Sequence, residues 1–392
     1  MERRNRTTKS VGNGEGSLYY SEAQKCWIYQ YFDTTGKRKS MKQKKGEQSK
    51  EFKARVVSLK NKLNTGTYIE KSTDTLLNIL ERYIEQKNKD GITCDRSYLR
   101  DKETLNQIKI TCSKWIDKPI QKVIVEDIEN SKENMRNYSN STIQKIWILL
   151  NKGFKIAYSR RKIQFNVMND ENLKKPLSLK SPRTVTALSK EEEYKFINTL
   201  KTLNHKYCKI LLLQLYTGMR IGEVLALTKD CIDFKANTIT IYRTLTRDKK
   251  DKVILGKNTK TYDKKTGIDK GKRTFFMKPE VKKIIEEIFS SKLTNIHNLL
   301  FWDYDKNYFV TDGEINAFLA RLNKKYNILS NRNETLSSHR LRHTFITRCQ
   351  ECGMSLPVIQ MLVGHSNGSI ITTNVYTDIS LDFIQQELNK LS

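Results

Sequence analysis

The sequence predicts a multidomain α+β protein: a small three-stranded β-sheet with one helix, then an all-α unit, then a larger, mainly α unit carrying a small β-sheet or hairpin. Three observations predict it. At 392 residues the chain exceeds what one core organises, on a prior of about 150 residues per domain. Alternating segments rich in aromatic and β-branched residues sit at the N-terminal end and again at 237–242, as half-buried strands require. Elsewhere apolar residues recur at helical spacing, broken once by an Asn-, Ser- and Pro-containing stretch.

Taken in order, residues 1–13 are polar and basic, with no core pattern. Leu18-Tyr19-Tyr20, Trp27 to Phe32 and Lys39 to Lys42 read as three strands, with Asp33 to Lys37 as the turn between the last two. A helix over 47–63 follows, with Phe52, Val56, Leu59 and Leu63 on its apolar face and Gly66 beyond its end. These elements define a first domain, 1–66, whose three-stranded sheet, with its aromatics packed inward on the helix, could lie in a DNA major groove, with Lys37, Arg38, Lys39 and Lys42 meeting the nucleic acid. Helices over 71–89, 96–115, 125–136 and 141–160 form a second domain, 71–165; Ile143, Ile146, Trp147, Leu150 and Phe154 show its strongest periodicity. Residues 166–185 are the linker, with Pro176 and Pro182. Ser189 followed by Glu192 is a capping box opening the third domain, 186–392.

Charge narrows the partners. Lys and Arg number 72 against 43 acidic residues, a formal net charge of +29 spread along the chain, and the electrostatic expectation is a polyanion that touches several domains, DNA or RNA. Basicity alone implies no catalysis. No apolar run resembles a signal peptide or a membrane span, and seven cysteines are scattered, so a reducing cytoplasm and no membrane partner are expected. Cys349 and Cys352 form a single C-x-x-C in a helical pattern, read as buried thiols in preference to a zinc or redox pair. No metal site is expected.

The third domain holds the chemistry. Leu211 to Leu215 is a buried helix ending at Thr217-Gly218, and the next helix starts at Met219 or Arg220, placing Glu223 one turn on where it can hold the Arg220 guanidinium. Taken alone, Arg220-x-x-Glu223 is most often a surface ion pair. A strand at 237–242 leads into a run of basic residues from Lys249 to Arg273, mostly readable as a solvated loop. Downstream stand His339-Arg340-Leu341-Arg342-His343, then Gly364-His365, then Tyr376-Thr377. Arginine offers a fixed charge and a planar fork for phosphate oxygens, histidine can move a proton near neutrality, and a tyrosine hydroxyl can attack phosphorus.

The order T-G-x-R-x-x-E, H-x-L-R-H, G-H and Y-T resembles the tyrosine recombinase family, the integrases of temperate phages and conjugative transposons. The resemblance implies that residues 1–66 are an arm-type DNA-binding domain, 71–165 a helical core-binding domain, and 186–392 the catalytic domain. It implies Arg220 and Arg342 as phosphate clamps, His339 and His365 as hydrogen-bond and proton-transfer partners, Glu223 supporting Arg220, His343 supporting its helix, and Tyr376 as nucleophile. A catalytic lysine belongs in a β-hairpin; Lys260, in Thr259-Lys260-Thr261, is preferred and Lys265 is the alternative. No cofactor is implied. The partners implied are double-stranded DNA at attachment sites, a homotetramer passing through a Holliday junction, and an excisionase or DNA-bending accessory protein. The C-terminal stretch 381–391 reads as an amphipathic helix, which in the family often docks on a neighbouring protomer. A type IB topoisomerase, a silent DNA-binding regulator and a metal-dependent transposase are the competing readings.

Overall fold

The computed structural model describes residues 16–33, 36–181, 185–263, 266–291, 293–330, 334–364 and 380–391. The chain divides into two compact units, residues 1–92 with 100–181 and residues 93–99 with 182–392.

In the first unit, β1 (Ser17–Ser21), β2 (Cys26–Phe32) and β3 (Arg38–Lys42) form an antiparallel sheet in that order. Alternation sends Tyr29 and Tyr31 to one face, where they stack at 5.7 Å between ring centroids and pack with Phe52 and Val56 of α1 (Ser49–Asn64). The register pairs Tyr31 with Lys39 and Tyr29 with Met41, so Lys39 shares their side of the sheet. The helices that follow are α2 (Leu76–Lys89), α3 (Asp95–Thr111, of which 100–111 belong to this unit), α4 (Val125–Arg136) and α5 (Asn140–Ser159). Two boundaries differ from the sequence reading. Helix α2 begins at Leu76, not 71, because the Thr75 hydroxyl accepts from the Asn78 amide at 3.2 Å and caps it. Helix α3 stops at Thr111; the turns beyond it bury Trp115, whose indole donates to Ser131 Oγ at 2.7 Å. Helices α2 and α5 approach so closely at Gly153 that a Cβ there would sit 2.6 Å from Leu76 Cδ1. The early part of the expected linker lies on this unit: Ser178 donates to Tyr138 O at 2.6 Å, and the Leu179 amide to Arg136 O at 2.9 Å.

The second unit opens with α6 (Lys190–Thr202), whose Ser189–Glu192 capping box forms as expected, then α7 (Cys208–Thr217) and α8 (Ile221–Leu225). Helix α7 is buried almost all round, as its unbroken apolar run requires. Strands β4 (Ile232–Asp233), β5 (Thr238–Ile241) and, beyond the hairpin β6 (Leu245–Arg247) and β7 (Val253–Leu255), β8 (Arg273–Phe276) make a sheet of order β4-β5-β8. Then come α9 (Pro279–Ser290), the short pair β9 (Trp302–Asp303) and β10 (Tyr308–Phe309), α10 (Asp312–Tyr326), α11 (Ser338–Glu351), α12 (Leu356–Val363) and α13 (Leu381–Leu388). Helix α7 packs against α6, α9 and α11, so the two motif-bearing segments at the ends of α7 and α11 share one core. Helix α13 folds back on its own unit: Ile384 and Leu388 are buried, and Glu387 accepts from the Ser355 amide at 2.6 Å. The two-unit chain has the α+β composition that the sequence predicts.

Candidate active site

Local chemistry places Arg220. Helix α7 ends at Gly218, which adopts φ 64°, a left-handed cap that glycine takes without strain. A side chain there would also collide with the Phe345 ring. The reversal puts Arg220 at the cap of α8, which begins at Ile221, just after the start at Met219 or Arg220 expected from sequence. Glu223 then reaches back, accepting from the Arg220 amide at 3.0 Å and from its Nη1 at 2.9 Å.

The same carboxylate accepts from Arg273 Nη2 at 2.7 Å. Glu223 is essentially inaccessible to solvent; burial works against its ionisation, but Arg273 and Arg220 outweigh that and hold the carboxyl below its usual range. Arg342 comes from α11, donating Nη1 to Gly218 O at 2.8 Å and Nη2 to Val363 O. Burial first, then Arg220, pushes Arg342 down to about 9, which leaves it charged at neutral pH.

Three guanidiniums therefore meet at the C-terminal end of α12. Arg273 Nε donates to Leu362 O at 2.7 Å, Arg220 Nη1 to Val363 O at 3.4 Å, and Arg220 Nη2 to Gly364 O at 2.7 Å. These are carbonyls that a helix end leaves unpaired, at the negative end of its dipole. Gly364, at φ 63°, closes the helix, and a Cβ on it would lie 2.8 Å from Arg273 Nη1. Three arginines face one carboxylate, so the site carries excess positive charge, and among the described residues the hydrogen bonds of Arg220 and of Arg342 use only part of their five donors each. Such a site suits an anion with several oxygens.

His339, in the first turn of α11, has one side open to solvent and packs edge-on to His343 at 4.5 Å between centroids. Desolvation, then His343, Arg342, Lys260 and Arg220, hold it below the usual histidine range. Desolvation and Arg342 do the same for His343. Arg340 points away from this cluster, buried and donating to Thr186 O at 2.8 Å and to Glu334. His365, Tyr376 and Lys265 lie outside the described residues.

Lys260 departs from the hairpin expectation. The β6–β7 hairpin closes where the Gly256 amide donates to Thr244 O at 3.0 Å, and Lys260 stands beyond it, exposed, in a turn. The four basic residues of the first unit also separate. Lys37, Arg38 and Lys42 are exposed, whereas Lys39 pairs with Glu70 and lies 4.0 Å from Asp33. Cys349 is buried, which pushes its thiol up to about 12, and Cys352 donates to its carbonyl at 3.2 Å; both behave as packing residues. Sequence reasoning assigned no role to Arg273. Its signal was a charged residue opening an otherwise apolar strand, Arg273-Thr274-Phe275-Phe276.

In fold, the chain is similar to the Tn1549 transposon integrase solved with circular intermediate DNA, with a TM-score of 0.62 at 22% identity over 81% of this chain and 99% of that one. Lambda integrase, solved as a tetramer bound to a Holliday junction, gives 0.53 at 15% identity over 93% and 96%. In sequence it is 29% identical over 222 residues to the transposase from transposon Tn916 of Enterococcus faecalis, covering 54% of this chain and 52% of that protein. It is 30% identical over 188 residues to the integrase of Staphylococcus phage L54a, covering 45% and 50%. The chain thus spans about half the length of the curated relatives it matches. The phage integrase family matches residues 186–381, the half of the sequence that carries the arginine cluster and every motif residue from Arg220 to Tyr376, and the chain belongs to that family.

Proposed function

We propose that this protein is a site-specific tyrosine recombinase that cuts and rejoins double-stranded DNA to integrate or excise a mobile element. The observation that carries the reading is the convergence of Arg220 and Arg342, with Glu223, on the end of α12 immediately before His365. Arg220 and Arg342 bind the non-bridging oxygens of the scissile phosphate and stabilise the charge that grows on them in the transition state. Glu223 and Arg273 keep Arg220 in place. Tyr376 attacks phosphorus as its hydroxyl proton leaves, with His339 and His365 completing the hydrogen bonding; the bond to the 5′ oxygen breaks, and Lys260 protonates that oxygen. The resulting 3′-phosphotyrosyl bond keeps the ester's energy, and a 5′-hydroxyl from a second duplex attacks it in reverse. The guanidiniums supply the positive charge, so no metal or nucleotide enters.

Residues 1–66 act as the arm-type DNA-binding domain, with the exposed Lys37, Arg38 and Lys42 meeting phosphates, 71–165 as the core-binding domain, and 186–392 as the catalytic domain. Two duplexes cut on both strands call for a homotetramer, and an excisionase or bending protein would set direction. Among the described residues no helix is long and apolar enough to cross a membrane, and the protein works in the bacterial cytoplasm on nucleoid DNA. Covalent trapping tests the reading. Nicked attachment-site DNA with chelator should yield a protein–DNA adduct with wild type and none with Tyr376→Phe. An adduct that persists in the Phe variant would relocate the nucleophile, and site binding without any adduct would make the protein a regulator.

A further inference from the structure

Residues 256–272, between the β6–β7 hairpin and β8, are rich in lysine, and those described, 256–263 and 266–272, contain no named strand or helix, yet they are tied around one carboxylate. Asp269 Oδ2 accepts from the Thr259 amide at 2.8 Å. Asp269 Oδ1 accepts from the Thr259 hydroxyl and from the Gly271 amide, the latter at 3.0 Å. A bridge joins Tyr262 to Asp269, and the Asp263 amide donates to Ile268 O at 2.9 Å. Thr259, next to Lys260, is buried, and Gly271 lies so close to it that a Cβ there would strike the Thr259 and Thr261 hydroxyls. The knot is fixed to the arginine cluster at its far end, because Gly271 O accepts from Arg273 Nη1 at 3.0 Å.

Lys260 is thus flanked by a residue clamped twice to Asp269 and by Thr261, whose amide donates to Thr259 Oγ1 at 3.3 Å. Its own side chain is exposed. The segment that carries it is tied to the arginine cluster through Gly271 O and Arg273 Nη1, and the Lys260 charge is among those that hold His339 below the usual histidine range.

We propose that Asp269 is a positioning residue for Lys260, holding the ammonium where it can protonate the departing 5′ oxygen. The inference rests on the recombinase reading and deepens it. In the step concerned, the bond from phosphorus to the 5′ oxygen breaks and the Lys260 Nζ proton passes to that oxygen. A sulfur at that bridging position leaves as a thiolate and needs no proton, since a thiol's pKa of about 8.5 lies far below that of an alcohol.

The test measures the rate of adduct formation on DNA carrying either an ordinary scissile phosphate or a 5′-bridging phosphorothiolate, with wild type, Lys260→Ala, Asp269→Ala and Thr259→Val. General-acid loss costs on the order of 10²–10⁴-fold on oxygen. Lys260→Ala should show a loss of that order on the oxygen substrate and near wild-type rates on sulfur. Asp269→Ala should lose about ten- to a hundredfold on oxygen, within what one displaced general acid can cost, and should also recover on sulfur. Thr259→Val, which removes one bond to Asp269 and keeps the volume, should show the same pattern more weakly. Equal losses on both substrates, or no loss at all, in Asp269→Ala would overturn the assignment. A Lys260→Ala defect that sulfur does not relieve would remove the proton donor and the positioning role together. If wild type forms no adduct with either substrate, the recombinase reading falls first and this inference falls with it.

Discussion

Glu223→Gln is the change that asks most of the active-site geometry. The carboxylate accepts from the Arg220 amide, Arg220 Nη1 and Arg273 Nη2, and two of these contacts, the Arg220 amide and Arg273 Nη2, share Oε2. The amide therefore keeps its oxygen at the Oε2 place and turns its NH2 toward Arg220 Nη1, so one bond to the clamp becomes donor against donor. Breaking a buried ion pair by removing one partner costs about 3–5 kcal/mol. Because glutamine retains two neutral acceptor bonds, the expected loss is at the lower end, about 3 kcal/mol, with Glu223→Ala at the upper end. For a unit of this size each kcal/mol moves the melting temperature by roughly 2–4 °C, so the Gln variant should melt about 6–12 °C lower.

The pH dependence fixes the cause. Glu223's folded carboxyl lies below its ordinary value, so its contribution is complete above the unfolded value of about 4.3 and is lost as pH falls through the folded one. The gap between wild type and Gln, measured by urea unfolding, should be flat at neutral pH and close only in the acid range beneath ordinary carboxylates. A gap under about 1 kcal/mol, the size of an exposed pair, or one unchanged into that range, would refute the claim that this carboxylate holds the cluster together.

Gly364→Ala should cost about 1–2 kcal/mol for its left-handed backbone and slow adduct formation, because its methyl would press on Arg273; an unchanged melt would contradict the cap. His339 and His343 sit below the usual histidine range, so both are neutral at neutral pH. A bound phosphate raises their pKa values, so DNA binding should take up protons and tighten as pH falls from about 8 toward 6, across the histidine range; calorimetry in two buffers reads the uptake, and His339→Asn should reduce it. In salt titrations of DNA binding, Lys42→Ala should lower the slope by about 1. Lys39→Ala should lower it less, because Lys39 is engaged by Glu70 and Asp33; equal effects would place both on the DNA face.

What could be read from the sequence was local. The Ser189–Glu192 cap, the glycine that ends α7 and the Arg220–Glu223 pair each depend on residues a single turn apart, so spacing alone could announce them. The strand assignments near the N-terminus were equally accessible, since Tyr29 and Tyr31 alternate with residues of the opposite face. Register was not: whether Lys39 meets solvent or Glu70 depends on which side of the sheet the helix covers.

Arg273 shows the limit most clearly. It contacts Glu223, 50 residues upstream, and Leu362, 89 residues downstream, and no periodicity encodes either distance. Its apolar strand carried a hint, because an arginine at a buried position must find a carboxylate or carbonyl partner. That hint names a need without naming the partner. Asp269 was hidden for the opposite reason, lying inside a lysine-rich run where solvation is the ordinary expectation. In the roles proposed for them both residues act through others, Arg273 through Glu223 and Asp269 through Thr259, and neither stands in the T-G-x-R-x-x-E, H-x-L-R-H, G-H or Y-T wording. The motif's Arg220–Glu223 pair is local in sequence; the contacts that join the Lys260 segment to Arg220 are made by the tertiary fold, and in this chain they run through Arg273, which binds Gly271 on one side and Glu223 on the other.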